Sequence, residues 1–150
     1  MFRIMLALAA LFALGAEGPV TAQASRYAEG QVWEYRTRPG EEGSLLKIQK
    51  IEVLPNARNG ELVYHLSIIG FRLHGSAPDQ KLGHTPVSQE TLDISVTRLS
   101  ERRPDFPDAA EGIEMWREAS GGVFTVSVAD LLSDIEAMLP PRPSAEGPEA

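Results

Sequence analysis

Apolar and polar positions alternate most regularly between Gly30 and Val53, in the stretch GQVWEYRTRPGEEGSLLKIQKIEV. Trp33 and Tyr35 fall on one parity and Glu34, Arg36 and Arg38 on the other, the period-two pattern of a half-buried strand. Pro39 and Gly40 then fit the two central positions of a type II turn, proline presetting φ and glycine accepting a positive φ. The chain is therefore expected to reverse between Arg38 and Gly43. On the return strand Leu46 and Ile48 share one parity, whereas Ile51 and Val53 take the other. A β-bulge at Gln49 and Lys50 would keep all four on the core side; two apolar faces are the alternative.

After the hairpin comes PNARNG, residues 55–60, whose Asn59-Gly60 pair signals a type I′ hairpin turn. A third strand is expected from Glu61 to about Leu73. Leu62, Tyr64, Leu66 and Ile68 lie on one face and Val63, Ile69, Phe71 and Leu73 on the other, as in a strand covered on both sides. Consecutive strands joined by short turns usually pair, which gives an antiparallel meander. The thirteen residues from His74 to Pro86 carry Gly75, Pro78 and Gly83 without usable periodicity and read as a long loop. Ser88 can cap a helix running to about Leu99, with Leu92, Val96 and Leu99 at helical spacing.

Pro104 and Pro107 break the chain, and Asp108 is placed to cap a second helix carrying Ile113 and Trp116, ended by Gly121 and Gly122. Gly112 weakens that helix by roughly 1 kcal/mol relative to alanine. Val123 to Val126 suggests a short fourth strand. Ser127 then caps a third helix with Asp130 in its first turn, and Val128, Leu131, Leu132, Ile135, Met138 and Leu139 form its apolar stripe. The pattern as a whole predicts an α+β domain: an antiparallel meander sheet of three to four strands covered by about three helices.

Composition sets the surroundings. Arg3 followed by the eleven-residue apolar run Ile4 to Leu14, with Ala22 and Ala24 at a small-residue end, has the form of a bacterial secretory signal peptide. Cleavage is expected after Ala24, or two residues earlier. The expected organisation is thus a signal peptide at 1–24, one domain at 25–139, and a Pro-rich disordered tail at 140–150. The expected location is the periplasm or the outside, with no membrane association once the leader is gone. The 150-residue chain has no cysteine, so disulfides, thiolate metal sites and a lipid anchor on cysteine are excluded. Its net charge is −7, and removing the leader takes away Arg3 and Glu17, one charge of each sign. The densest basic cluster, Arg98, Arg102 and Arg103, is interleaved with Glu101 and followed by Asp105 and Asp108, which argues against nucleic acid.

Candidate chemistry is sparse. His65 and Ser67 share a strand face, but side chains two apart on a strand sit roughly 6.5 to 7 Å apart, too far for a direct hydrogen bond. There is no G-x-S-x-G elbow. His74 and His84 bracket the long loop and could converge with Asp79 on a metal, yet the spacing matches no metal motif. Glu41 and Glu42 are neighbours in a turn and not carboxylates facing each other across a cleft. No catalytic residue, cofactor or metal ligand is therefore assigned. The candidate binding residues are Arg36, Arg38, Glu41 and Glu42 around the RPGEEG turn, with a protein partner or a small ligand as target. Trp33 and Tyr35 could extend that patch, but the face they share is the one a meander buries, and they are assigned to the core.

GQVW-x-Y-x-TRPGEEGS at 30–44, P-V-S-x-E-T-L at 86–92 and F-T-V-S-V-A at 124–129 resemble a group of small uncharacterised bacterial proteins. The resemblance implies a recurrent single domain with the RPGEEG turn in its pattern, and it implies no activity, ligand or catalytic residue. The sequence thus points to an exported non-enzymatic binding domain, inhibitor-like or immunity-like in size and acidity. The alternative is a small histidine- or metal-dependent hydrolase. Oligomeric state is left open.

Overall fold

The computed structural model describes residues 25–141; the stretch expected to be a leader, 1–24, and the part of the expected tail beyond Pro141 lie outside the described residues. Strands β1 (Val32–Tyr35) and β2 (Leu45–Val53) form the expected hairpin, with Trp33 opposite Leu46. Between them Gly40 has φ +84° and Glu41 N donates to Arg38 O (3.2 Å), the hydrogen bond and positive φ of a Pro-Gly turn. A second turn follows at once, Ser44 N donating to Glu41 O (2.8 Å).

The bulge falls where the alternation required it. Ile48 pairs with Leu66 and Lys50 with His65, so Gln49 is the extra residue and Ile51 returns to the face of Leu46 and Ile48. Strand β3 (Leu62–Phe71) lies beside β2, and its residues from Val63 to Ser67 are all buried, as expected of a strand covered on both faces. The turn leading into it differs from expectation. Positive φ occurs at Asn56 (67°) and Gly60 (66°) and not at Asn59, and Leu54 N donates to Glu61 O (2.7 Å) to close a wider loop.

Two strands stand where the sequence predicted a loop and the end of a helix. Strand β4 (Gln80–Val87) occupies most of the stretch read as a loop and pairs antiparallel with β3. Its alternation is hidden by Gly83, by Pro86 and by a register shift opposite Ser67, features that an edge strand tolerates. Helix α1 (Gln89–Ser95) starts at the Ser88 cap, whose Oγ accepts from Thr91 N (3.2 Å), but stops before Val96. Strand β5 (Val96–Leu99) then pairs with the free edge of β1, Trp33 opposite Leu99 and Tyr35 opposite Val96. The sheet order is β4-β3-β2-β1-β5, antiparallel throughout.

Helix α2 (Ala110–Glu118) and helix α3 (Val128–Met138) complete the α+β architecture. Val123–Val126 is not a strand; it contributes a single parallel bridge, Phe124 with Val87. Among the described residues no helix is long and apolar enough to cross a membrane.

The two faces of the sheet are covered differently. The front buries Trp33, Tyr35, Leu46, Ile48, Tyr64, Leu66 and Ile68 against Leu92 of α1 and Val128, Leu131 and Leu132 of α3. Each such side chain contributes about 1.5–3 kcal/mol of burial. The back is covered by α2, through Ala109, Ile113 and Trp116, and by the irregular segment 100–109 that crosses it. That segment is tied down by polar contacts: Pro107 O accepts from Gln49 Nε2 (3.0 Å), and Gly43 O accepts from Arg102 Nη2 (3.0 Å).

Candidate functional site

The four residues expected to form a binding patch separate in the structure. Arg36 reaches away from the turn, its Nη1 donating to Ile94 O of α1 (2.9 Å). Glu42 stays local and exposed, accepting from Gly40 N (3.0 Å), and that backbone hydrogen bonding together with nearby Arg72 holds its carboxyl below the usual range. Arg38 and Glu41 do meet, in a two-pronged pair at 2.5 and 3.1 Å, but inward: Glu41 is only 2 % exposed. Glu41 Oε1 also accepts from Arg72 N (2.8 Å), just past the end of β3. Arg38 donates onward to Arg72 O (2.7 Å) and to Glu136 Oε2 of α3 (2.6 Å). The polarity of the turn is thus spent on joining the hairpin, β3 and α3.

Through Glu136, which accepts from His74 N, this network adjoins a cavity of about 510 Å³ at the end of the sheet. Leu73, His74, Ser76, Gln80, Leu139, Pro140 and Pro141 line it, so the two prolines at the start of the expected tail are part of its rim. His74 sits in the left-handed region (φ 48°), held there from both sides. Its N donates to Glu136 Oε1 (2.5 Å), and its Nε2 is 2.8 Å from Leu139 O, so that nitrogen carries a hydrogen and donates. The His74 N–H, followed by Arg38, holds the Glu136 carboxyl below the ordinary carboxylate range. The lining is mostly aliphatic and proline, with His74, Ser76 and Gln80 as the polar groups that could orient a bound molecule.

A second polar cluster lies under α2 on the back of the sheet. His65 is fully buried, its Nδ1 2.8 Å from His84 Nε2 and its Nε2 2.8 Å from Glu52 Oε1. Arg117 closes over the same carboxylate at 2.7 Å. Trp116 meets the His65 ring edge-on with centroids 4.8 Å apart. Gly112 is required here, because a Cβ at that position would lie 2.5 Å from His84 Cβ. Burial pushes the His65 imidazole below its ordinary value against the pull of Glu52, and burial with the neighbouring His65 pushes His84 down to about 4. The Arg117 hydrogen bond, with His65 behind it, lowers Glu52.

His84 is therefore partnered with His65 and not with His74. Asp79, the third member of the metal site considered from sequence, accepts from Gln80 Nε2. Among the described residues no group of three or more histidines and carboxylates is arranged to hold a metal ion. Ser67 Oγ donates to Gly83 O (2.7 Å) and accepts from Gln49 Nε2 (3.0 Å), so its hydroxyl is committed to the fold. Glu52, Arg117, Arg72 and Glu136 were not anticipated. For Glu52 a signal existed: once the bulge is placed at Gln49, Glu52 shares the face of Lys50, whose cross-strand partner is His65. Compared with known proteins, the chain matches no family model, no curated protein and no solved structure.

Proposed function

We propose that the chain is an exported, non-enzymatic binding module whose ligand seats in the cavity between the β3–β4 turn and the end of α3. The observation that carries this reading is the cavity itself: about 510 Å³, within the roughly 300–1,000 Å³ typical of small-molecule sites, with an aliphatic lining and a few convergent polar groups. One lining residue, His74, is anchored through its N–H to Glu136, itself paired with Arg38, and such preorganisation limits the entropy lost on binding. The ligand that suits it is small and largely apolar, with one group able to hydrogen-bond at Ser76 or Gln80. The RPGEEG turn contributes through Arg38, which pairs with Glu41 and holds Glu136. Export is supported by the leader-like first 24 residues. A hydrolase is less well supported, since His65 and Ser67 have their polar atoms engaged within the fold.

The reading is tested with the neutral fluorescent probe phenylnaphthylamine, titrated into the protein and into a Leu139→Asp variant. Leu139 is already 44 % exposed, so the substitution puts a charge on the lining without emptying the core. The expected result is saturable fluorescence enhancement with the unmodified protein and at least tenfold weaker binding by the variant at unchanged Tm. No enhancement, or equal affinity for both proteins, would overturn the proposal.

A further inference from the structure

Helix α2 is fastened to the sheet by side chains that the binding cavity does not use. Trp116 lies on His65, Gly112 is flush against His84, and Arg117 grips Glu52. The chain is irregular before the helix, at 100–109, and after it, with only the Phe124 bridge before α3. The helix can therefore leave the sheet without unravelling a strand.

Hydrogen-bond chemistry limits how many protons this cluster can hold. With Glu52 ionised, His65 Nε2 carries a hydrogen and donates to it. The Nδ1 of neutral His65 is then an acceptor, and His84 Nε2 must be the donor across their 2.8 Å contact. One added proton can be held at the outer nitrogen of His84 with that bond in place. A second turns both facing nitrogens into donors and makes the rings adjacent cations. The charges facing the pair are Glu52 and Lys50 of β2 and Arg117 of α2, with Glu114 behind Arg117. Asp108, at the start of α2, has its carboxylate turned to Ala110 N (2.9 Å). The single carboxylate in contact with the pair is already shared with Arg117 and does not offset two imidazolium charges.

We infer that α2 is an acid-released latch: double protonation of the His65–His84 pair parts the rings and lifts α2 from the back of the sheet while the front layer stays packed. The direction follows from linkage. Both histidines are held below their ordinary value of 6.5 in the closed state and return toward it once the helix lifts. Below pH 6.5 the open state therefore binds more protons, and opening gains about tenfold per pH unit for each histidine that titrates only when open. The window closes near pH 4, the value held by His84 in the closed form. The front core cluster contains no histidine among the described residues.

The test is amide hydrogen exchange of the full chain followed by mass spectrometry from pH 7 to pH 4.5, corrected for intrinsic rates. The opening constant of peptides covering 110–118 is expected to rise by about a thousandfold between pH 6.5 and 4.5 when both histidines titrate only in the open state, against about thirty-fold for one. Peptides from β2 and β3 should keep their protection. His84→Gln supplies an amide that can still donate to His65 Nδ1 but does not titrate, and it should reduce the rise to that of one histidine or less. Unchanged α2 protection down to pH 4.5 would overturn the inference, as would loss of α2 and sheet protection together. So would an undiminished rise in the variant. Should His84→Gln fail to fold, the unmodified protein's profile decides by the first two outcomes.

Discussion

Two buried ionic clusters hold this molecule together, one at each side of the sheet, and they are built on opposite principles. At the hairpin turn, guanidinium meets carboxylate: Arg38 joins Glu41 and Glu136. Under α2, neutral imidazoles meet each other, and a carboxylate anchors one end of the chain of hydrogen bonds. The first cluster is assembled around an i,i+3 pair within one turn; the second draws single residues from β2, β3, β4 and α2. The difference separates rigidity from responsiveness. The turn network joins the hairpin, β3 and α3 through guanidinium–carboxylate pairs, whereas the histidine network holds a helix only while it stays deprotonated.

That contrast can be broken most forcefully at the turn. Glu41→Ala leaves Arg38 with a single carboxylate and the Arg72 N–H without its acceptor. A buried pair broken on one side costs about 3–5 kcal/mol, and the remaining Glu136 contact places the expected loss near the lower figure, to be read by urea denaturation. A loss under about 1 kcal/mol would put this network in the class of solvent-screened surface pairs and remove its bracing role.

A smaller effect sharpens the comparison from the other side. Gly112→Ala should gain up to about 1 kcal/mol of helix propensity yet lose about 1–3 kcal/mol by overpacking against His84, for a net destabilisation of about 1–2 kcal/mol. In a His84→Gly background, which removes the Cβ that the new methyl would meet, the same substitution should become neutral or stabilising, so a double-mutant cycle isolates the contact. Additive effects would show that the glycine is not there for the histidine. The smallest change is expected at Arg98→Ala. Its partner Glu34 is partly exposed and the arginine side chain is 75 % accessible, so Tm should not move measurably at physiological salt.

What was legible in the sequence follows the same division between local and distant. The Pro39-Gly40 reversal, the Ser88 and Ser127 caps and the bulge at Gln49 all rest on neighbours within a few residues, and all are present. Strand β5 was illegible because Leu92, Val96 and Leu99 satisfy helical spacing equally well. The chain leaves the helix at Val96 because the open edge of β1 offers backbone partners there, a tertiary demand that overrides local period. Strand β4 was hidden by its own polarity. The candidate site was only partly readable: Arg38 and Glu41 were singled out at the turn together with Arg36 and Glu42, but the pairing of Arg38 with Glu41 and their destination on Arg72 and Glu136 depend on α3 folding back over the sheet end. The His65–His84 contact could not be seen while His84 was placed in a loop.

The bulge at Gln49 has a consequence for chain length. Removing one residue from a strand ordinarily turns every later side chain to the opposite face. Here Gln49 is the surplus residue, so its deletion would leave Lys50 and Glu52 on the back and Ile51 and Val53 on the front, with pairing to β3 made regular. What the deletion would sever is the amide that Gln49 extends to Ser67 Oγ and Pro107 O. Strand β2 thus carries one residue more than its sheet requires, and that residue serves as a mooring for the segment crossing behind it.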